Sequence, residues 1–239
     1  MAVSEEEERG QIVLLAGFED ERNRDILLRQ FAGYAPVWQE DRTDWIGITQ
    51  KAWPSRAVGQ KLFLTPPWCD DRTPPGRVRI IHNPGLASGT GEHPCTQLVL
   101  ESLERSIIPG VKVLDVGTGS GILSLAALRL GAGFALGVDP DLEALQTARE
   151  NFEWNRLLPA LAAGSTDCIA DAWADVTVAN ISGTVLLSIL DDLLRVTRLN
   201  GVLILSGFTT DEAKTFLGLF PPTEHTACEG WSCLAVRQP

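Results

Sequence analysis

The chain has 239 residues, of which 44% are hydrophobic and 21% are charged, a composition that excludes disordered, collagen-like and coiled-coil proteins. This length predicts one principal domain with an appendage. The 31 acidic and 20 basic side chains give a formal net charge of −11. Such a chain gains nothing from the phosphate attraction that drives non-specific nucleic-acid binding, so we expect a basic protein partner and no direct contact with nucleic acid.

Targeting and metal-binding signals are missing from the sequence. No early segment combines a basic start, an apolar run and a small-residue cleavage site, and no window approaches the length of an apolar membrane span. We therefore expect a cytoplasmic protein without membrane contact. The five cysteines form no CxxC pair, and His225, Cys228 and Cys233 are too few for the closely spaced ligands of a zinc site. We expect neither disulfides nor a bound metal.

Residues 1–45 predict a small and incomplete α+β region. The four glutamates at 5–8 are typical of a solvated, mobile tail. The apolar run at 12–16 predicts a strand, and the pattern over 20–31 predicts a helix. Residues 46–75 are rich in proline and tryptophan, which predicts a semi-rigid linker and a domain boundary near residue 75.

Residues 76–239 show a regular alternation of strand-like and helix-like segments. The predicted strands are 78–81, 111–116, 134–138, 161–164, 176–181 and 202–206, and the predicted helices are 96–106, 122–130, 142–154, 186–196 and 212–219. The alternation predicts a doubly wound α/β fold, with a mostly parallel seven-stranded sheet covered on both faces. Two last strands, 223–228 and 232–236, predict a terminal antiparallel hairpin, which is the usual ending of a class I methyltransferase sheet.

Three alternating glycines, Gly117, Gly119 and Gly121, stand where a predicted strand turns into a predicted helix. Glycine permits the positive φ angles of such a turn and the close approach of a ligand. A dinucleotide fingerprint, GxGxxG, would need its third glycine where this chain has Ile122, and no GxxxxGK[ST] phosphate loop is present. The loop is therefore not expected to bind a pyrophosphate.

Two aspartates indicate what the loop binds instead. Asp139 ends the next strand, at the place where a carboxylate can hydrogen-bond the hydroxyls of a ribose. Asp115 precedes the loop, where it suits a cationic cofactor and repels a pyrophosphate. S-adenosylmethionine fits both, because it has a ribose, a sulfonium and an amino group but no phosphate. The alternative is a structural turn, with Asp139 as the N-terminal cap of the next helix.

Five segments together resemble the PrmA family, the bacterial methyltransferases of a large-subunit ribosomal protein (number eleven). They are NPGLASGTGEHPCT at 83–96, LDVGTGSGIL at 114–123, VDP at 138–140, VANI at 178–181 and LSG at 205–207. The resemblance extends from about Trp45 to the end of the chain. The chain has Asn83, Ser88 and Cys95 where the family commonly has Asp, Phe and Thr.

The resemblance implies an S-adenosylmethionine-dependent N-methyltransferase of the protein-lysine type, which acts on lysine side chains or the N-terminal amine of a ribosomal protein. It implies that Asn180 is the catalytic residue, whose side-chain carbonyl accepts a hydrogen bond from the amine to be methylated. The expected cofactor contacts, combined from the resemblance and the glycine-loop argument, are Thr96, Asp115, Gly117, Gly119, Asp139 and Asn180.

Several side chains near these positions have alternative interpretations. Thr96 could be a plain helix-capping hydroxyl, and Asn180 could be a turn-forming residue. His93 is expected to stabilise its loop, and Asp167 or a neighbouring hydroxyl could meet the adenine amino group. Glu92 could hold the amine protonated or remove its proton.

Two other functions remain open at this level: a class I methyltransferase acting on another protein or a small amine, and a non-catalytic nucleotide-binding module. Residues 1–45 are shorter than the substrate-recognition domain that the resemblance implies. We expect this truncated region to pack as a fixed appendage against the linker tryptophans and to restrict the positions that are methylated. The sequence leaves the oligomeric state open.

Overall fold

The structure of the chain is a computed structural model. It describes residues 2–8, 11–17, 21–34, 53–83 and 91–238. Contacts divide the chain into two compact units, Met1–Ile46 and Gly47–Pro239. No helix in the described ranges has both the length and the apolar character needed to cross a membrane.

The N-terminal unit contains a hairpin and a helix. Strands β1 (Ala2–Glu8) and β2 (Gln11–Gly17) pair antiparallel, and helix α1 (Glu21–Gln30) follows them. The strand and the helix predicted in this region are confirmed. The mobile tail predicted at 5–8 is wrong, because these glutamates lie in β1 and pair with β2. Glutamate has a low strand propensity, and the hydrogen bonds to the backbone of β2 compensate for it.

The second unit begins, in its described part, with a small three-stranded sheet. Strand β3 (Arg56–Val58) is antiparallel to β4 (Leu62–Thr65), which is parallel to β5 (Val78–Ile81). The carboxylate of Glu104, from the helix α2 (Pro94–Ser106), accepts the backbone N–H groups of residues 60, 61 and 62 at 2.8–3.0 Å. The described part of the predicted linker is therefore folded and bonded to α2. The predicted domain boundaries, and the packing expected of residues 1–45, stay predictions.

The larger sheet has seven strands. They are β6 (Lys112–Val116), β7 (Phe134–Asp139), β8 (Leu161–Ala163), β9 (Ala174–Asn180), β10 (Thr197–Thr209), β11 (Glu224–Cys228) and β12 (Trp231–Arg237). Their order is β11-β12-β10-β9-β6-β7-β8, and the neighbours pair in parallel except β12, which is antiparallel to both β10 and β11. The predicted fold, including its terminal hairpin, is confirmed.

Helices cover both faces of this sheet. Besides α2 they are α3 (Ile122–Arg129), α4 (Leu142–Trp154), α5 (Gly183–Ser188), α6 (Leu190–Val196) and α7 (Ala213–Leu219). One buried cluster includes Leu100 and Phe152, and another includes Leu193 and Phe216. The single helix predicted over 186–196 is wrong in one respect, because it breaks at Ile189, whose φ and ψ are −114° and 14°.

The order of the strands determines where a ligand site can form. The chain passes from β6 outward to β7 and β8, and then returns to β9 on the other side of β6. At such a switch point the loops after neighbouring strands diverge and leave a crevice at the carboxyl edge of the sheet. The ends of β6, β7 and β9 therefore meet at one edge, and these ends carry the glycine loop, Asp139 and Asn180.

Candidate functional site

The glycine loop after β6 lies against the ends of both neighbouring strands. The backbone N–H groups of Gly117 and Thr118 donate to the carbonyl of Val138, at 2.9 and 3.0 Å. Gly117 has a φ of 71°, and a Cβ placed on it would lie 2.4 Å from Cγ2 of Ile181, directly after β9. The loop can approach both strands this closely only because residue 117 has no side chain.

Asp115 is fully buried beneath the loop. Its Oδ2 accepts hydrogen bonds from the hydroxyl of Thr118 at 2.7 Å and from the backbone and hydroxyl of Ser124, at 3.0 and 2.8 Å. Burial raises the pKa of this carboxyl to about 6, and the charge of nearby Asp139 adds to the rise. Among the described residues none donates to its Oδ1. A buried acceptor of this kind needs a donor, and a cationic N–H group would supply one.

Asp139 lies at the end of β7 and connects that strand to the glycine loop. Its Oδ2 accepts the N–H of Gly119 at 2.9 Å, and its Oδ1 accepts the N–H of Asp141 at 3.0 Å. Each carboxylate oxygen keeps a further lone pair for a ligand hydroxyl. The alternative of Asp139 as a helix cap is wrong: α4 begins at Leu142, so the cap is Asp141, whose carboxylate accepts the N–H of Glu143.

Asn180 and Thr96 form a contact between β9 and α2. The side-chain amide of Asn180 donates from Nδ2 to Oγ1 of Thr96 at 3.3 Å, and Thr96 is buried. No described residue donates to Oδ1 of Asn180, so this acceptor remains open to a substrate N–H. The alternative of Thr96 as a helix cap is wrong, because α2 begins at Pro94 and its cap is His93, whose Nδ1 accepts the N–H of Cys95 at 3.4 Å.

Glu92 stands just before α2 and already has cationic and polar partners. Its carboxylate forms an ion pair with the guanidinium of Arg56 and accepts the indole N–H of Trp53 at 3.0 Å. These residues line a pocket together with Leu64, Pro66 and His82, among others. Both roles considered for Glu92, holding the amine protonated and removing its proton, stay predictions.

Asp167, an expected adenine contact, lies exposed in a single helical turn, Thr166–Cys168. The guanidinium of Arg195 holds this turn by donating to the carbonyls of Thr166 and Ile169, both at 2.8 Å. The turn follows β8, at the same edge of the sheet as Asp139. The contact between Asp167 and an adenine stays a prediction.

A group of buried polar residues beside the glycine loop was not predicted from the sequence. Nε2 of His82 lies 2.8 Å from the hydroxyl of Ser120. Asn151 of α4 and Asn155 at its C-cap bind the backbone at and after the end of β5. The available signal was the pair of asparagines spaced four apart, one near the end of the predicted helix 142–154 and one directly after it. Amides at that spacing share one helix face, and buried amides require partners.

Gly117→Ala is expected to destabilise the fold by about 3 kcal/mol or more, through the positive φ and the overlap with Ile181. Gly76→Ala is the matched control: its φ is 78°, and a Cβ there meets no atom within 4 Å. It should cost only about 1 kcal/mol of backbone strain. Urea unfolding measures both free energies. Equal losses of unfolding free energy in the two variants would show that the overlap with Ile181 does not contribute to the destabilisation.

His82→Gln is expected to reduce the loss of folding stability that the wild-type protein shows as the pH falls from 6.5 to about 3. Burial lowers the pKa of His82 from 6.5 to about 3, so between these values the unfolded chain binds a proton that the folded chain does not. The stability of the wild-type protein therefore rises with pH over this window. Asp115 contributes with the opposite sign from 3.8 to about 6, but it is present in both proteins and cancels in their difference.

The stability difference between wild type and His82→Gln should change by about 3 kcal/mol from pH 4 to pH 6.5, and the two curves should run parallel above pH 7. Urea unfolding at a series of pH values measures this difference. Curves that stay parallel down to pH 4 would show that His82 is protonated equally in the folded and unfolded chains.

Comparison with known proteins gives consistent matches. A family model described as "Ribosomal protein L11 methyltransferase (PrmA)" matches residues 13–239. A protein of that name from Dechloromonas aromatica is 39% identical over 201 residues, which cover 82% of this chain and 67% of the relative. One from Cupriavidus taiwanensis is 36% identical over 200 residues, covering 82% and 66%. The chain spans about two thirds of the length of the curated relatives it matches.

Solved structures agree with these matches. The crystal structure of a ribosomal protein L11 methylase from Lactobacillus delbrueckii subsp. bulgaricus superposes with a TM-score of 0.72 at 30% identity, covering 78% of this chain and 99% of that one. An RNA methyltransferase from Salinibacter ruber, crystallised with S-adenosyl-L-homocysteine, reaches a TM-score of 0.50 at 16% identity, covering 59% and 90%. The second likeness concerns the fold alone.

Proposed function

The chain belongs to the ribosomal protein L11 methyltransferase family, and from this premise we propose that it transfers a methyl group from S-adenosylmethionine to amine nitrogens of a ribosomal protein. The resemblance predicted from the signature segments is thereby confirmed. The methyltransferase class is confirmed at the level of the family, and the activity, cofactor and substrate of this chain are the proposal.

The observation that carries the proposal is the meeting of three groups at one sheet edge: the glycine loop, the carboxylate of Asp139 and the amide of Asn180. These residues fit the chemistry of S-adenosylmethionine. Asp139 suits the ribose hydroxyls, and the unpartnered Oδ1 of Asp115 beneath the loop suits a positively charged ligand. A pyrophosphate would be repelled by both carboxylates.

The bound cofactor would supply an electrophilic methyl group on a sulfonium, which an amine takes up by in-line displacement. The protein therefore contributes mainly alignment, and no covalent intermediate with a side chain is needed. A lysine amine has a reference pKa near 10.4 and must lose its proton before attack. Asn180 offers an uncharged acceptor, Oδ1, which can orient the neutral amine without stabilising its protonated form.

The substrate is proposed from the family and from charge. The relatives are named for a ribosomal protein, and a net charge of −11 suits a basic partner of that kind. The target atoms are lysine side-chain amines or the N-terminal amine. Such a substrate would place the enzyme in the cytoplasm.

Incubation with purified ribosomal protein L11 and S-adenosylmethionine, followed by peptide mass spectrometry, tests this function. We expect methyl groups on amines of the substrate and none in a parallel reaction without cofactor. If the chain binds S-adenosylmethionine but leaves this protein unmodified, the substrate is another protein or a small amine. If it binds no S-adenosylmethionine, the proposed activity is wrong.

A further inference from the structure

Asn151 makes a set of hydrogen bonds that joins two loops of the candidate site. This residue lies near the end of α4 and is 1% exposed. Its Oδ1 accepts the N–H of Asn83 at 2.8 Å, and its Nδ2 donates to the carbonyl of Asn83 at 2.8 Å and to the carbonyl of Ser120 at 2.9 Å. Asn83 begins the first signature segment, and Ser120 lies within the glycine loop.

A second asparagine, Asn155 at the C-cap of the same helix, makes the same kind of contact with a neighbouring peptide. Oδ1 of Asn155 accepts the N–H of Ile81 at 3.0 Å, and its Nδ2 donates to the carbonyl of Ile81 and to that of Asn151. Four residues advance an α-helix by about 6 Å, and two residues advance an extended chain by about 6.6 Å. Two amides four apart, one in the last turn of α4 and one at its C-cap, can therefore bind residues 81 and 83 in register, as a neighbouring strand would.

The two asparagines differ in one contact, and that contact lies in the site. Only Asn151, of these two, bonds to the glycine loop. Its partner Ser120 directly follows Gly119, whose N–H donates to the carboxylate of Asp139. The bond from Asn151 to Ser120 therefore holds the same stretch of loop that positions the expected ribose ligand. The hydroxyl of Ser120 also contacts Nε2 of His82, the residue directly before Asn83.

We propose that Asn151 is a positioning residue for cofactor binding, which fixes the glycine loop and the start of the first signature segment relative to each other. It touches neither cofactor nor amine and acts through Ser120, Gly119 and Asp139. This role rests on the proposed function. Asn155, the C-cap of α4, bonds to Ile81 and to the carbonyl of Asn151 but not to the glycine loop. It serves as the matched control because it has the same side chain and makes the same type of bond.

The test compares Asn151→Ala with Asn155→Ala in the full chain. Urea unfolding should show similar losses of stability, because each variant removes three hydrogen bonds. Calorimetry with S-adenosylmethionine should show an affinity lower by about tenfold for Asn151→Ala, and a change of less than about twofold for Asn155→Ala. With saturating protein substrate, Asn151→Ala should raise the KM for S-adenosylmethionine and leave kcat nearly unchanged.

Two further variants keep the test decisive if Asn151→Ala does not fold. Asn151→Ser is smaller but keeps a donor, and Asn151→Asp keeps the acceptor for Asn83 while it loses both donated bonds. Both should show the raised KM. A folded Asn151 variant with wild-type affinity would overturn the role, as would an equal affinity loss in Asn155→Ala. If the wild-type chain binds no S-adenosylmethionine, the proposed function itself is wrong. This outcome can be distinguished, because no variant would then show binding in the calorimeter either.

Discussion

Replacing Asp139 by alanine is expected to weaken the binding of S-adenosylmethionine about ten- to hundred-fold, because hydrogen bonds to a charged acceptor contribute roughly 1.5 to 3 kcal/mol. The loss has two sources. The variant removes the proposed acceptor for the ribose hydroxyls, and it releases the N–H of Gly119 in the glycine loop. Calorimetric titration of the folded variant measures the effect.

Asp141→Ala is the control for this prediction. Asp141 is the neighbouring carboxylate that caps α4, and its side chain is exposed. Its removal should cost about 1 kcal/mol of stability and leave the affinity for S-adenosylmethionine unchanged. An Asp139→Ala variant that is folded and binds with wild-type affinity would remove Asp139 from the site.

Asn180→Ala is expected to lower the rate of methyl transfer on the order of a hundredfold, with a much smaller effect on cofactor affinity. The proposed contact acts on the amine as it aligns with the methyl group, so its loss affects the transition state more than the bound cofactor. Asn180→Asp should also be slow, because a carboxylate favours the ammonium form of the amine. Single-turnover rates on a verified protein substrate measure both effects.

Thr96 provides the controls for Asn180. Its hydroxyl accepts the bond from Nδ2 that fixes the amide, so Thr96→Ser should retain nearly the full rate and Thr96→Val should lose part of it. Near wild-type single-turnover rates in Asn180→Ala would refute the amine-positioning role. A Thr96→Val variant as slow as Asn180→Ala would indicate that the hydroxyl itself takes part in the reaction.

The sheet could be predicted from the sequence because its strands are continuous apolar runs, a pattern typical of strands that are buried on both faces of a parallel sheet. The strand ending at Asn180 is an example. The positive φ angles of Glu229 and Gly230 form the turn of the predicted terminal hairpin. Asp139 and Asn180 could be chosen as site residues because parallel strands bring their carboxyl ends to one edge.

What the sequence could not predict depends on contacts between distant segments. The glutamates at 5–8 form a strand only because β2 pairs with them, and local propensity contains no information about that partner. The start of α2 was predicted two residues too late, so its cap was assigned to Thr96 instead of His93. The start of α4 was predicted correctly, but its cap was assigned to Asp139 instead of Asp141. Asn151 binds residues far away in the chain, and its role becomes apparent only from the folded geometry.

Calorimetric titration of the wild-type protein with S-adenosylmethionine, and separately with NAD, determines which class of cofactor the site binds. The glycine loop, the ribose-binding position of Asp139 and the buried carboxylate of Asp115 predict micromolar binding of S-adenosylmethionine and no binding of NAD, whose pyrophosphate the two carboxylates repel. Binding of NAD without binding of S-adenosylmethionine would show that the site is a dinucleotide site and that the proposed methyltransferase activity is wrong.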